Sequence, residues 1–184
     1  MVWVVGQQGA AGILPGNTLK GFRHALSLGV DAVSCELGLS ADGAPTLVRH
    51  VGPAADPLPP DPDLASNAGE GAPSFDDLLA LVASAQAGLV CVLRERGAAL
   101  PAAERVRARG LHEQVLLVSA HLAALAAIQR RDARLGLGVF LLAPTAKRIA
   151  HVVALSARQV VVPCDAVSLR LVVALHSGGL RLLA

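Results

Sequence analysis

The stretch VVGQQGAAGILPGNTLKGF, residues 4–22, sets the frame for the 184-residue chain. Two valines enter a glycine turn, Pro15-Gly16-Asn17-Thr18 follows, and Leu19, Phe22 and Leu26 then recur at the spacing of a buried helical stripe. Asn17 or Thr18 can accept from the orphan amides that open this helix, and Gly29 can close it in the left-handed conformation. A strand passing through a tight turn into a capped helix is the repeating unit of α/β folds, and side chains in that turn face ligands. Here the turn presents two adjacent glutamines, Gln7 and Gln8.

The same unit recurs along the chain. Apolar, strand-like runs stand at 2–5, 32–37, 46–50, 89–93, 115–119, 135–142, 159–163 and 180–184. Helices are predicted between most of them. Ser74 and Asp77 form a capping box before FDDLLALVASAQ, and amphipathic stretches cover 98–109, 120–132, 144–156 and 166–177. The join GLSADGAP, residues 38–45, is too short for a crossover helix and predicts a turn at Asp42-Gly43. The pattern predicts one domain over residues 1–184, a (β/α)₈ TIM barrel that is short for its class and lacks the helix after strand two and the final helix. An open doubly wound sheet fits the same alternation.

Composition narrows the function. Tyr is absent and Phe and Trp are few, so the core is expected to be built from Ala, Val and Leu. The net charge of +2 comes from dispersed Lys and Arg without interleaved aromatics, which argues against a nucleic-acid surface. The first 19 residues carry no charged side chain, yet they lack a basic start and are interrupted by the glutamines and Pro15, so a strand, turn and cap are expected there. The uncharged run at 78–93 is shorter than the roughly 20 residues of a membrane span. Cys35, Cys91 and Cys164 have no metal or redox spacing and read as buried thiols of a cytoplasmic protein. Residues 51–73, rich in Pro, Asp, Ala and Gly, read either as a surface excursion or as a lid over the strand ends.

In order and in wording, these elements resemble the glycerophosphodiester phosphodiesterase family. That family opens with His-Arg-Gly, a short turn, Pro-Glu-Asn-Thr and a helix; here stand Gln7-Gln8-Gly9 and Pro15-Gly16-Asn17-Thr18. A Gly-Ala-Asp run leading to Glu-x-Asp is matched by Gly29-Val30-Asp31 and Ser34-Cys35-Glu36, and the family's Asp-Gly turn and His-Asp strand end by Asp42-Gly43 and His50-Val51. Farther on, LVCVLR resembles an Ile-Glu-Ile-Lys strand, with Val92 at the Glu and Arg94 at the Lys.

The resemblance implies lipid metabolism and metal-dependent hydrolysis of glycerophosphodiesters to glycerol 3-phosphate and an alcohol. It implies Ca²⁺ or Mg²⁺ at Ser34 and Glu36, acid–base groups at Gln7 and His50, and phosphate binding by Gln8 and Arg94. The residues present do not suit that chemistry. Hard divalent cations require several oxygen ligands, preferably charged, and three anionic positions have become Ser34, Glu36 and Val92. Asp165 and Glu95 are the carboxylates left to supplement them. An amide at Gln7 cannot exchange a proton near neutral pH, and Gln8 lacks the guanidinium fork that suits phosphate. Glu36 and His50 read equally as a hydrogen-bonded pair with no substrate.

The expected function is therefore a phosphodiesterase-family domain with absent or very weak catalysis; a headgroup-binding or scaffold domain is the alternative. A small phosphorylated glycerol-type ligand is the expected partner, and a homo-oligomer could cover an incompletely closed seam. His24, His112, His121, His151 and His176 lie on predicted helices or their edges, where surface or packing roles are expected.

Overall fold

The computed structural model describes residues 3–48 and 74–184. The elements are β1 (Val5–Gly6), α1 (Leu19–Ser27), β2 (Ala32–Leu39), β3 (Pro45–Leu47), α2 (Phe75–Ala85), β4 (Gly88–Leu93) and α3 (Ala99–Ala108). There follow β5 (Val115–Ser119), α4 (Leu122–Arg131), β6 (Gly136–Phe140), α5 (Ala146–Ala154), β7 (Gln159–Val161), α6 (Leu169–Ser177) and β8 (Arg181–Leu183). Short 3-10 turns at Arg96–Ala98 and Cys164–Ala166 precede α3 and α6. Each predicted strand has a counterpart. Arg49, His50, the loop at 51–73 and the Met1–Val2 start of the first predicted strand lie outside the described residues.

The sheet runs β1-β2-β4-β5-β6-β7-β8, every neighbouring pair parallel. Doubly wound sheets reverse strand order at a switch point. This order follows the chain without reversal, which selects barrel-type winding. β3 is the departure. It pairs antiparallel with β2 at Leu37↔Leu47 and Leu39↔Pro45 and lies off the parallel order. Because β4 runs along residues 32–37 of β2, β1 and β3 must share the opposite edge, β1 at Ala32 and Val33 and β3 farther on. The strand after the helixless join is thus a hairpin arm. Among the described residues, seven parallel strands form the wall, and no ladder joins β8 back to β1.

Alternation along the strands separates two faces. Val33, Cys35 and Leu37 of β2, Leu89, Cys91 and Leu93 of β4, Leu117 of β5 and Val139 of β6 enter one core with Phe22, Leu79, Val106, Leu125 and Val152 of the helices. Ser34 and Glu36, Val90 and Val92, and Val118 alternate with them and face away from the helices. The core is built from small side chains, as the composition predicts. A Cβ on Gly138 would lie 3.0 Å from Val118 and 3.3 Å from Leu116, so the β5 side chains lean over β6 where it carries none.

Local signals hold at most element ends. The Thr18 hydroxyl accepts from the Gly21 amide at 3.1 Å, Gly29 has φ 81°, and Ser74 and Asp77 form a reciprocal capping box. The uncharged run at 78–93 divides at Gln86, in the left-handed conformation, into the end of α2 and a buried β4. No helix among the described residues is long and apolar enough to cross a membrane. Cys35 and Cys91, register partners on β2 and β4, are buried with sulfurs 3.7 Å apart, and burial pushes the Cys91 thiol up. Cys164 is exposed, contrary to expectation, because it stands beside the strand, in the exposed 3-10 turn that follows β7.

At the opposite end of the sheet from the glutamines, His112 Nε2 lies 3.0 Å from Asp132 Oδ2 and ties the turn before β5 to the turn before β6. Asp132 also accepts from the Arg134 side chain at 3.0 and 2.9 Å and from its backbone amide at 3.0 Å. The Arg134 bonds, and secondarily His112, hold the Asp132 carboxyl well below the usual carboxylate range. A lowered value in the folded state stabilises the fold above the unfolded value of about 3.9, and that contribution fades as pH falls below it. Urea unfolding should therefore show Asp132→Asn less stable than wild type at neutral pH, with the gap closing below about pH 4. A gap that persists undiminished in acid would contradict this role.

Candidate functional site

Gln8, Ser34, Glu36 and Arg94 meet at the carboxyl ends of β1, β2 and β4. The turn after β1 folds tightly: Gln8 has φ 47°, Gly9 has φ 83°, and the Asn17 amide donates to the Gln8 carbonyl at 3.0 Å. A glutamine in the left-handed region is strained by roughly 1–3 kcal/mol, and such strain persists where the surroundings fix it. Here the backbone amide of Gln8 donates to Ser34 Oγ at 3.1 Å, and its side-chain Nε2 donates to Glu36 Oε1 at 3.1 Å. Gln8 is buried, whereas its neighbour Gln7 is exposed.

Arg94 approaches the other carboxylate oxygen. Its Nε lies 3.6 Å from Glu36 Oε2, an ion pair beyond hydrogen-bonding distance, with side chains only 14% and 18% exposed. Val92 is the register partner of Glu36, so the neighbouring position on β4 offers methyl groups where a carboxylate would be needed for a metal. Glu95 turns away to accept from the Leu39 amide at 3.3 Å, and Asp165 sits in the exposed turn after β7. Among the described residues no three His, Cys, Asp or Glu side chains gather closely enough to hold a metal ion. One carboxylate whose two oxygens already face an amide donor and a guanidinium does not fit Ca²⁺ or Mg²⁺, which require several oxygen ligands.

Two neighbours of this cluster have roles that local sequence does not reveal. Asn17, one of the two residues expected as the helix cap, is fully buried with φ 54°; its Nδ2 donates to the Val48 carbonyl at 2.7 Å and its Oδ1 accepts from the Glu36 amide at 3.2 Å. Thr18 does the capping. Asn17 therefore ties α1 to the middle of β2 and to the end of β3, through partners 31 and 19 residues away. Gly16 makes room for Gln8: a Cβ there would collide with the Gln8 side-chain oxygen. The family's glutamate could not stand at this position with Gln8 as it lies.

No protein family and no curated protein matches the chain by sequence. Solved structures do match by shape. A phosphodiesterase from Oleispira antarctica, in complex with the product sn-glycerol-3-phosphate, shares 18% identity over 100% of this chain and 84% of its own, at a TM-score of 0.78. The chain has the glycerophosphodiester phosphodiesterase fold. The glycerophosphodiester phosphodiesterase from Thermotoga maritima matches with 18% identity over 99% of this chain and 84% of its own, at a TM-score of 0.76. A protein assigned as a glycerophosphoryl diester phosphodiesterase from Silicibacter pomeroyi matches with 19% identity, 99% and 81% coverage, and a TM-score of 0.80. In this phosphodiesterase fold, Gln8, Glu36 and Arg94 lie at the strand ends where barrel enzymes carry their sites.

Asn17→Ala should test the frame of this cluster. It leaves the Val48 carbonyl and the Glu36 amide without their side-chain partner, each worth about 1–3 kcal/mol, and places alanine in the left-handed region. A loss of about 2–5 kcal/mol in urea unfolding is expected; a change under 1 kcal/mol would mean that Asn17 does not hold the strands together.

Proposed function

We propose that this chain is a divergent member of the glycerophosphodiester phosphodiesterase family, a single domain over residues 1–184, in which hydrolysis is absent or very weak. The observation that carries this reading is the closed arrangement around Glu36, whose carboxylate oxygens face Gln8 and Arg94. The family reaction draws on a divalent metal to neutralise charge developing on the phosphoryl oxygens, and the described residues do not supply its ligands. Gln7 stands exposed where proton exchange is required, and losing one such group typically costs about 10²- to 10⁴-fold in rate. His50, the family's second acid–base position, lies outside the described residues.

What the cluster can still do is bind. Arg94 supplies a cation, Gln8 an amide, and Ser34 a hydroxyl at one strand end, which suits the phosphate of a glycerol-type headgroup. The Oleispira antarctica structure holds sn-glycerol-3-phosphate, and a similar small phosphorylated ligand is the partner proposed here. A scaffold role in the cytoplasm is the second reading. Leu169 and Val173, one turn apart on α6, are 81% and 58% exposed and favour a protein partner or a second copy of this chain.

A hydrolysis assay on glycerophosphocholine with Ca²⁺ or Mg²⁺ should show no turnover above background, and Gln7→His alone should not restore it. Turnover at ordinary enzyme rates, about 1–10³ s⁻¹, would contradict the proposal. Calorimetry with glycerol 3-phosphate should detect binding that Arg94→Ala abolishes; absence of any heat in the wild type would remove the headgroup reading and leave the scaffold.

A further inference from the structure

The geometry points to Arg94 as an internal replacement for the divalent cation of this fold: its guanidinium faces Glu36, so the charges of Gln8, Ser34, Glu36 and Arg94 balance among themselves without metal. This inference concerns the same cluster as the proposed function, but it rests on the charge arrangement and not on any ligand. Glu36 is the one acidic side chain in the Gln8–Ser34–Glu36–Arg94 cluster. A mostly buried carboxylate requires a compensating charge and hydrogen-bond donors. Arg94 Nε at 3.6 Å from Oε2 and Gln8 Nε2 at 3.1 Å from Oε1 supply one of each.

The substitutions are mutually consistent. With Ser34 and Val92 beside it, Glu36 contributes a single negative charge, which one guanidinium balances and a divalent ion would overcompensate. Gln8 packs against Gly16, where an added Cβ would require the Gln8 side-chain oxygen to shift. An arginine at position 8 would add a second cation beside Arg94, and a neutral amide there avoids that repulsion.

The pair is tested by removing its members singly and together in the full chain. Wild-type protein should give no calorimetric signal with CaCl₂ or MgCl₂ in the millimolar range, and neither EDTA nor 10 mM (about tenfold over a weak site) CaCl₂ should move its melting temperature. Arg94→Gln leaves Glu36 without this counter-charge and should lower the melting temperature by about 5–15 °C. The double variant Glu36→Gln/Arg94→Gln removes both charges and should melt above Arg94→Gln with no response to calcium.

If Arg94→Gln does not fold, Glu36→Gln alone should melt below the double variant, because it leaves the guanidinium without this carboxylate. Stabilisation of the wild type by calcium, or destabilisation by EDTA, would overturn the inference. So would a double variant melting no higher than either single one. None of these measurements uses glycerol 3-phosphate, so a failed headgroup reading would leave their outcome intact.

Discussion

Glu36 is held from several directions, and the arrangement of the first half of the sheet depends on it. Its backbone amide donates to Asn17 Oδ1, its carbonyl accepts from the Val48 amide, and its side chain meets Gln8 and Arg94. These contacts join the turn after β1, the helix α1, the hairpin arm β3 and the end of β4 around one residue of β2. A mostly buried carboxylate is costly to leave uncompensated, so the residues around it are constrained together. The left-handed backbone at Gln8 and at Asn17 is the local strain that this arrangement sustains.

The same centre underlies the proposal that the family's hydrolysis is absent or very weak here. In a metal-dependent site several carboxylates crowd together because a divalent cation neutralises them. Here a serine, a valine and an amide have taken the surrounding positions, and the remaining carboxylate has a guanidinium 3.6 Å away. On the proposed reading, the charges of these described residues still balance, with a different cation. Gly16 belongs to the same set, since a Cβ there would require the Gln8 side-chain oxygen to shift.

Much of the architecture is legible in the sequence because it rests on local periodicity. The strands, the capping box at Ser74 and the left-handed Gly29 follow from spacing and backbone preference. The short join at 38–45 signals that no helix follows β2. Its further consequence, that β3 turns back on β2 and leaves the parallel order, is a matter of pairing between strand edges. The site is less legible for a similar reason. Ser34 and Glu36 face the same way by strand alternation, and their meeting with Gln8 is foreshadowed by the family resemblance. The contacts of Asn17 and the clearance at Gly16 depend on long-range geometry, and local preference alone does not decide between Asn17 and Thr18 as the cap. Cys164 illustrates the same limit, because standing beside an apolar run does not by itself bury a side chain.

The account turns on whether Glu36 faces Arg94 and Gln8 or a metal ion. A crystal structure grown with an excess of CaCl₂ and glycerol 3-phosphate tests this directly. Glu36 should remain against Gln8 Nε2 and the Arg94 guanidinium, with no calcium on its carboxylate. A calcium ion coordinated by Glu36, with Arg94 swung away from it, would contradict the account.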